Sequence, residues 1–312
     1  MKILAIESSC DETAASVVED GKRVISNVIS SQISEHKKTG GVVPEVAARE
    51  HMKFIVPVVK KAMEGLSWDE IDAIAVTKTP GLVGSLVVGQ SAASALALAH
   101  DKPLIEVNHI HGHLYSNWLD SEDEPEFPAL VLTVSGGHSD LFLMHGHGDF
   151  EQLGGTKDDA AGEAFDKVAR MLGMDYPGGP AIEKAALKGN KEFVKFPRAQ
   201  MQGYDYSCSG LKTAVLYYLR DHEDEMTDGF KNDVAASFQE AICDSLVGKA
   251  VKALKNYDVK EVHMAGGCSA NGRLREILQD RLPEGVKFRH PAKISYCTDN
   301  AAMIAAVAFY LR

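Results

Sequence analysis

The stretch Lys2-Ile3-Leu4-Ala5-Ile6-Glu7-Ser8-Ser9-Cys10-Asp11-Glu12-Thr13-Ala14-Ala15-Ser16-Val17-Val18 decides how this chain folds. Two short runs, residues 3–7 and 14–18, flank a segment of small and polar residues, which is the pattern of two strands joined by a turn. A third run at 24–29 adds the next strand. After Gly40-Gly41, residues 44–65 carry Val46, Ala47, Phe54, Val58, Val59 and Ala62 at a helical rhythm that Gly65 closes. Residues 71–76 read as a strand, Pro80-Gly81 as a turn, 85–100 as a helix of small residues and 104–107 as a further strand. Strands alternating with helices of this length imply an α/β layered domain.

The pattern then starts again. Residues 129–134 read as a strand, Ser135-Gly136-Gly137-His138-Ser139 as a tight turn and 140–144 as a returning strand, repeating the N-terminal hairpin with little residue identity. A largely helical region is expected from 158 to about 254, interrupted by Gly178-Gly179-Pro180 and by a loop at 197–209. Residues 261–265 form another expected strand, Asn271 or Ser269 begins the helix carrying Leu274 and Ile277, and an Ala-rich helix follows Asp299. Two α/β domains, each opening on a polar hairpin, imply a cleft between them.

Composition bounds the function. With 312 residues, 45% apolar and 25% charged, the chain matches an ordinary globular protein. Glu7 cuts the N-terminal apolar run, so no signal-peptide core is expected there. The longest small and apolar stretch, 85–99, contains Gln90 and several serines and falls short of the roughly 20 residues a membrane span requires. Five cysteines lie far apart at 10, 208, 243, 268 and 297 with no C-x-x-C pair, which fits a reducing cytoplasm. The net charge of -11 argues against a general nucleic-acid coat protein. The basic cluster Lys184, Lys188, Lys191, Lys195 and Arg198 reads as a solvated helix face and loop.

Chemistry concentrates in Asn108-His109-Ile110-His111-Gly112-His113. His109 and His113, four residues apart, fall on one helix face and can share a metal ion. A metallopeptidase of the H-E-x-x-H type has its general base after the first His, where this chain has Ile110. His111 falls on another face and is assigned to a supporting or surface role. Asp299 is placed as a helix N-cap, yet it is also the residue type that completes a two-His, one-carboxylate set; the sequence does not separate the two roles. Three glycine turns, at Ser135-Gly136-Gly137, Gly178-Gly179-Pro180 and Gly266-Gly267, can direct backbone N–H groups at an anion, and together they read as walls of one nucleotide site. Asp166 reads either as part of a solvated face with Glu163 and Arg170 or as an acceptor for ribose hydroxyls. Asn271 reads as a cap.

Over nearly its whole length the chain resembles the TsaD family of tRNA threonylcarbamoyltransferases. The stretches that carry the resemblance are Glu7 to Thr13, Gly40-Gly41-Val42-Val43-Pro44-Glu45, Pro80-Gly81-Leu82-Val83-Gly84, Asn108 to His113, Val134-Ser135-Gly136-Gly137-His138, Gly162-Glu163-Ala164-Phe165-Asp166-Lys167, Tyr176-Pro177-Gly178-Gly179-Pro180, Ser209-Gly210-Leu211-Lys212-Thr213, Ala265-Gly266-Gly267 with Ser269-Ala270-Asn271, and Cys297-Thr298-Asp299-Asn300 with the residues to Ala305. The resemblance implies an α/β protein of two ribonuclease-H-like domains of the actin, Hsp70 and sugar-kinase (ASKHA) type around a nucleotide cleft. The expected division is 1–105, completed by the helix 300–312, and 106–299 with a helical insertion.

It further implies one divalent iron or zinc ion held by His109, His113 and Asp299. The donor substrate would be threonylcarbamoyl-AMP, its adenylate held by Thr133, Val134, Ser135, Gly136, Gly137, Asp166, Gly179, Glu183 and Asn271. Asp11 is the candidate for steering or deprotonating the attacking amine. The acceptor would be the adenine 3′ of the anticodon in ANN-decoding tRNAs, and the partners a smaller paralogous TsaB-like subunit and a TsaE-like P-loop ATPase, in the cytoplasm. The alternatives are a glycoprotease-like metallopeptidase and a nucleotide-binding regulatory ATPase.

The chain departs from the family pattern in three places. Thr77-Lys78-Thr79-Pro80-Gly81 replaces a Thr-Ala-Gly-Pro-Gly type loop, and Thr133 stands where archaeal relatives carry a metal-binding Tyr, so no fourth protein ligand is expected there. The sequence ends at Arg312 without the basic, Pro-rich tail usual in bacterial members, so RNA contacts are expected to come from elsewhere.

Overall fold

The computed structural model describes residues 1–199 and 201–312, which form two units: residues 1–125 with 291–312, and residues 126–290. The N-terminal stretch becomes the hairpin its pattern predicts. Strand β1 (Lys2–Glu7) pairs antiparallel with β2 (Glu12–Glu19), and β2 with β3 (Arg23–Ser31). A short α1 (Ile33–Lys37) precedes α2 (Pro44–Ala62), which starts on a proline suited to a first helical turn. Strand β4 (Ala73–Thr79) runs parallel to β1, and after α3 (Val83–Ala99) strand β5 (Leu104–Asn108) runs parallel to β4. The sheet order is β3-β2-β1-β4-β5.

Strand alternation sorts side chains onto two faces. Leu4 and Ile6 of β1 and Ile74 and Val76 of β4 join a core with Ile55, Val59 and Ala93 from α2 and α3. The alternate positions, including Glu7 and Thr77, therefore point to the opposite face. Helix α4 (His109–Tyr115) follows β5 directly, its first turn capped by Asn108, whose Oδ1 accepts from the Ile110 amide at 2.8 Å.

The second unit repeats the order. Strands β6 (Ala129–Val134), β7 (Ser139–Gly146) and β8 (Asp149–Gly155) form an antiparallel meander. Helices α5 (Ala161–Met171), α6 (Gly178–Ala186), α7 (Ser209–Asp221) and α8 (Asp228–Leu254) occupy the expected helical region. Strand β9 (Glu261–Ala265), α9 (Gly272–Asp280) and β10 (Lys287–Arg289) complete a sheet of order β10-β9-β6-β7-β8. Strands β9 and β10 run parallel to β6 and to each other. Three antiparallel strands followed by two parallel ones is the order of the first unit, so the weak repeat in sequence is a full repeat in topology, as two ribonuclease-H-like domains require. Leu130, Leu132, Leu141, Phe165, Val168 and Phe238 belong to the core of this unit.

The last helix, α10 (Ala301–Tyr310), belongs to the first unit, where it packs on β1, β2 and α4. The expected domain boundaries at 105/106 and 299/300 lie instead at 125/126 and 290/291. The reason is packing: a Cβ on Gly112 would stand 2.9 Å from Ile304 Cδ1, and Tyr115 stacks on Tyr310 with ring centroids 5.2 Å apart, so α4 cannot separate from α10. Asp120 extends the attachment, its Oδ1 accepting from the Val24 amide and its Oδ2 from Tyr296. Strands β8 and β10 escaped the sequence reading because β8 is largely exposed along its first five residues and β10 has only three. No helix among the described residues is long and apolar enough to cross a membrane.

Candidate metal centre and nucleotide turns

Helix α4 presents His109 and His113 on one side, as their spacing predicts, with ring centroids 4.8 Å apart and planes at 83°. Asp299 Oδ1 lies 3.5 Å from His109 Nε2 and 3.2 Å from His113 Nε2, and one ligand atom from each residue falls within 4.8 Å of the others. All three belong to the first unit. Asp299 is not the helix cap: Asn300 takes that role, its Oδ1 accepting from the Met303 amide at 3.0 Å. The carboxylate of Asp299 is thereby left for the histidines. Asp11, the candidate base, is also buried in this unit.

The donor set fits a divalent cation. His113 is fully buried, and neither ring nitrogen makes a hydrogen bond of proper geometry, although Nε2 stands close to the Asp299 carboxylate. A buried imidazole in this condition is costly unless something completes it. His109 Nδ1 lies 3.0 Å from Glu7 Oε2 and 3.1 Å from Ser9 Oγ, leaving Nε2 for the side where Asp299 sits. Imidazole, imidazole and carboxylate with a carboxylate behind one ring is a common arrangement for zinc and non-haem iron.

Charge accumulates around this set. Burial opposes protonation of His109, but Asp299 and then Glu7 outweigh it and push the ring up to about 9. Burial likewise works against an ionised Glu7, yet the His109 charge and hydrogen bond hold its carboxyl below the usual range. Glu12 is driven well above that range by burial, by Asp11 and by Asp299. Burial, Asp11 and Asp299 also raise the Cys10 thiol far above its ordinary value, which disfavours it as a nucleophile. Ile110 is buried, so the position that holds the base in an H-E-x-x-H peptidase carries none. His111 is half-buried, and burial lowers its ring.

In the second unit the three glycine turns come into one neighbourhood. Gly266, with φ of +83°, lies against β6: a Cβ there would meet Val134 O at 2.4 Å. Gly162 lies against Ser135, whose carbonyl accepts from the Gly162 amide at 3.2 Å. Asp166 Oδ1 accepts from the Gly178 amide at 2.6 Å, tying α5 to the start of α6. Glu183 Oε1 accepts from the Gly272 amide at 2.7 Å, tying α6 to α9. Asn271 caps α9 through the Leu274 amide and donates from Nδ2 to Gln239 Oε1 at 2.9 Å. The capping role read for Asn271 is present, and Asp166 is a tie between helices rather than a member of a solvated face.

The turns differ in why they carry glycine. Gly162, Gly178 and Gly266 are required by close backbone approach, whereas a Cβ at Gly136, Gly137 or Gly179 would meet nothing within 4 Å. Beside these turns lies a pocket of about 250 Å³ lined by residues that include Glu183, Gln239, Gly272, Arg273 and Glu276. Arg273 is held there by a two-point contact to Glu240 at 2.6 and 2.7 Å. Thr133 Oγ1 and Ser269 Oγ are buried without a hydrogen-bond partner. Of the basic cluster, Lys184, Lys188, Lys191 and Lys195 are exposed as read, whereas Arg198 is half-buried and pairs with Asp244 at 3.0 Å.

The sequence profile of the family "TsaD: tRNA N6-adenosine threonylcarbamoyltransferase" matches residues 23–306. The chain belongs to that family. A tRNA N6-adenosine threonylcarbamoyltransferase of Symbiobacterium thermophilum is 55% identical over 313 residues, covering 99% of this chain and 91% of the relative. One from Dehalococcoides mccartyi is 53% identical over 317 residues, covering 99% and 93%. Among solved structures, HypF of T. kodakarensis superposes with a TM-score of 0.67 at 17% identity, over 99% of this chain and 48% of that one. A ROK family glucokinase of Streptomyces griseus does so at 0.51 and 13%, over 99% and 98%. These two likenesses speak to fold, and the fold is the ASKHA type. The family assignment makes the chain a transferase, and neither the peptidase nor the regulatory ATPase reading is favoured.

The supports of the site, Glu7, Ser9 and Thr77, carry no local pattern that marks them as such in the sequence. In the sequence Glu7 stands out as the residue that interrupts an apolar run and opens the Glu7 to Thr13 motif, and Ser9 and Thr77 only as motif letters. The available signal was a carboxylate at the end of a strand buried on both faces.

Proposed function

We propose that this transferase moves the threonylcarbamoyl group of threonylcarbamoyl-AMP to the N6 amine of the adenine 3′ of the anticodon in ANN-decoding tRNAs. The amine nitrogen forms a bond to the carbamoyl carbon, the bond from that carbon to the phosphate oxygen breaks, AMP departs and the amine loses a proton. Asp11 is assigned as the acceptor or steering group for that proton.

The observation that carries the reading is the buried His109, His113 and Asp299 set, in which neither ring nitrogen of His113 has a hydrogen-bond partner. These residues would hold one divalent iron or zinc ion, which when bound supplies Lewis-acid polarisation and a template for the donor. The adenylate portion is assigned to Thr133, Val134, Ser135, Gly136, Gly137, Asp166, Gly179, Glu183 and Asn271. Support comes from the glycines at 136, 137 and 179, which internal packing does not demand and which leave room for a ligand against the backbone. Backbone donors of that turn offset charge on the departing phosphate.

A smaller paralogous subunit is assigned to the face formed by α2 and α3. Met52 and Val56 on α2 and Val83, Val87 and Leu98 on α3 are exposed large apolar side chains of the kind a partner surface would cover. A P-loop ATPase is the second expected partner, and the cytoplasm, where the cysteines remain free thiols, is the expected compartment.

The test is nucleoside mass spectrometry. Purified protein with a threonylcarbamoyl-AMP source and the partner subunits should raise threonylcarbamoyladenosine in unmodified ANN-decoding tRNA, and cells depleted of the protein should lose it. Normal levels in depleted cells with no second copy of the gene would sink the proposal.

A further inference from the structure

The structure assigns to Glu7 a positioning role: its carboxylate holds the proton of His109 on Nδ1, so that Nε2 is the nitrogen offered to a metal ion. This rests on the metal reading given above and adds to it a residue outside the ligand set.

The geometry begins with strand alternation. Glu7 closes β1 on the face opposite the α2 and α3 core, and the parallel register pairing Ile6 with Val76 sets it beside Thr77. The side chain is fully buried and fixed at both oxygens. Oε1 accepts from the Ser9 amide; Oε2 accepts from Thr77 Oγ1 and lies 3.0 Å from His109 Nδ1. An ionised carboxylate only accepts, so the ring nitrogen facing it must donate. Gly81 and Gly89 close the support, because a Cβ on either would strike Ser9 or Ser8.

The Ser9 amide gives the inference a sharp consequence. A backbone N–H can only donate, so an amide substituted for the carboxylate must keep its oxygen at the Oε1 position. In Glu7→Gln the –NH₂ group therefore falls at the Oε2 position and points at His109 Nδ1. Thr77 can turn its hydroxyl and accept, and Ser9 Oγ, 3.1 Å from Nδ1, can turn its proton toward the ring; His109 then accepts at Nδ1 and carries its proton on Nε2. That orientation aims an N–H at the place a metal would occupy. Side-chain size and hydrogen-bond count are nearly unchanged, so the variant separates proton placement from packing.

The experiment is zinc binding by the purified full chain, measured by competition with a chromophoric chelator, for wild type and Glu7→Gln. Loss of a carboxylate behind a ligating histidine typically weakens metal binding roughly 10- to 100-fold. That rise in Kd, with an unchanged circular dichroism spectrum, is the expected result. Equal Kd values in a folded variant would overturn the role of Glu7. Failure of the wild type to bind zinc, cobalt(II) or iron(II) would instead remove the metal reading itself. Ring-nitrogen chemical shifts of His109 in the zinc-loaded wild type provide a measurement that needs no variant. A protonated Nδ1 with zinc on Nε2 is expected, and zinc on Nδ1 would overturn the proposal even if Glu7→Gln failed to fold.

Discussion

The turn after β1 and the turn after β6 occupy the same place in two copies of one sheet order, yet they are built in opposite ways. The first is filled with buried polar side chains. Ser8, Ser9 and Asp11 are all buried, the Leu82 amide bonds Ser9 O at 2.7 Å, and Gly81 and Gly89 bring neighbouring backbone against the turn. The second is stripped of side chains at its tip, where Gly136 and Gly137 are exposed and face open space. One scaffold thus yields a rigid, charged support in one domain and an accessible run of backbone in the other. A metal needs its ligands fixed to within a fraction of an ångström, whereas a phosphate needs amides that nothing covers.

The strongest way to break this comparison is to remove one member of the His109, His113 and Asp299 set. Asp299→Ala should reduce transfer to tRNA by more than roughly 100-fold, since even supporting groups around a metal are worth 10- to 100-fold. His113→Ala should do the same. The readout is threonylcarbamoyladenosine formed per minute with partner subunits in excess. Retention of most activity would mean that the charged site is structural and that chemistry resides with the glycine turns.

The next largest effect separates the two kinds of glycine within the second unit. In Gly178→Ala the new Cβ would lie 2.5 Å from Asp166 Cα and 2.6 Å from Phe165 O, both backbone atoms that cannot yield cheaply. Thermal or denaturant unfolding should show a loss of about 3 kcal/mol or failure to fold. Gly137→Ala meets nothing, so its stability should stay within about 0.5 kcal/mol of wild type while AMP binding weakens. If both variants lost stability alike, the open turn would be a packing feature and not a ligand feature.

These contrasts also show what was legible in the sequence. The hairpins were readable because short continuous apolar runs stop at small polar residues, and the histidine pair because helical spacing is local. The domain boundaries were not, because Gly112 and Tyr115 meet Ile304 and Tyr310 only after the chain has traversed the whole second unit. Asp299 was suspected both as cap and as ligand; its neighbour Asn300 took the cap, a choice one residue wide that depends on backbone geometry. Glu7 and Thr77 were invisible as a pair, since their contact follows from the register of two parallel strands far apart in sequence.

A smaller effect sharpens the electrostatic side of the comparison. The second unit has its own buried charge, but here it is fully paired. Glu261 takes two bonds from Arg289, at 2.6 and 2.9 Å, and lies 2.9 Å from His263 Nε2. Burial raises its carboxyl, but His263 and Arg289 outweigh that and hold it down at about 2. A carboxyl depressed on folding contributes stability that is present above its ordinary value of 4.5 and is lost as pH falls towards 2. Glu261→Gln should therefore cost on the order of 2 kcal/mol at pH 7, after allowance for solvent screening, with a shallower decline below pH 4.5. Parallel acid-unfolding curves for variant and wild type would show that the pair adds nothing.

The smallest effect lies next to the His109, His113 and Asp299 set. Asn300 caps α10 through its Oδ1 and also donates from Nδ2 to Thr298 O at 2.8 Å and Tyr296 O at 3.4 Å, so one side chain starts the helix and ties down the turn that bears Asp299. Asn300→Ala removes both functions and should cost about 1 kcal/mol of stability, the usual worth of a cap. Asn300→Ser restores a cap acceptor but has no donor long enough to reach both carbonyls. It should therefore recover most of the stability in thermal melts while zinc affinity remains a few-fold below wild type. Wild-type affinity in Asn300→Ser would mean that the start of α10 alone places Asp299; affinity as low as in Asn300→Ala would assign that placement to the Nδ2 bonds.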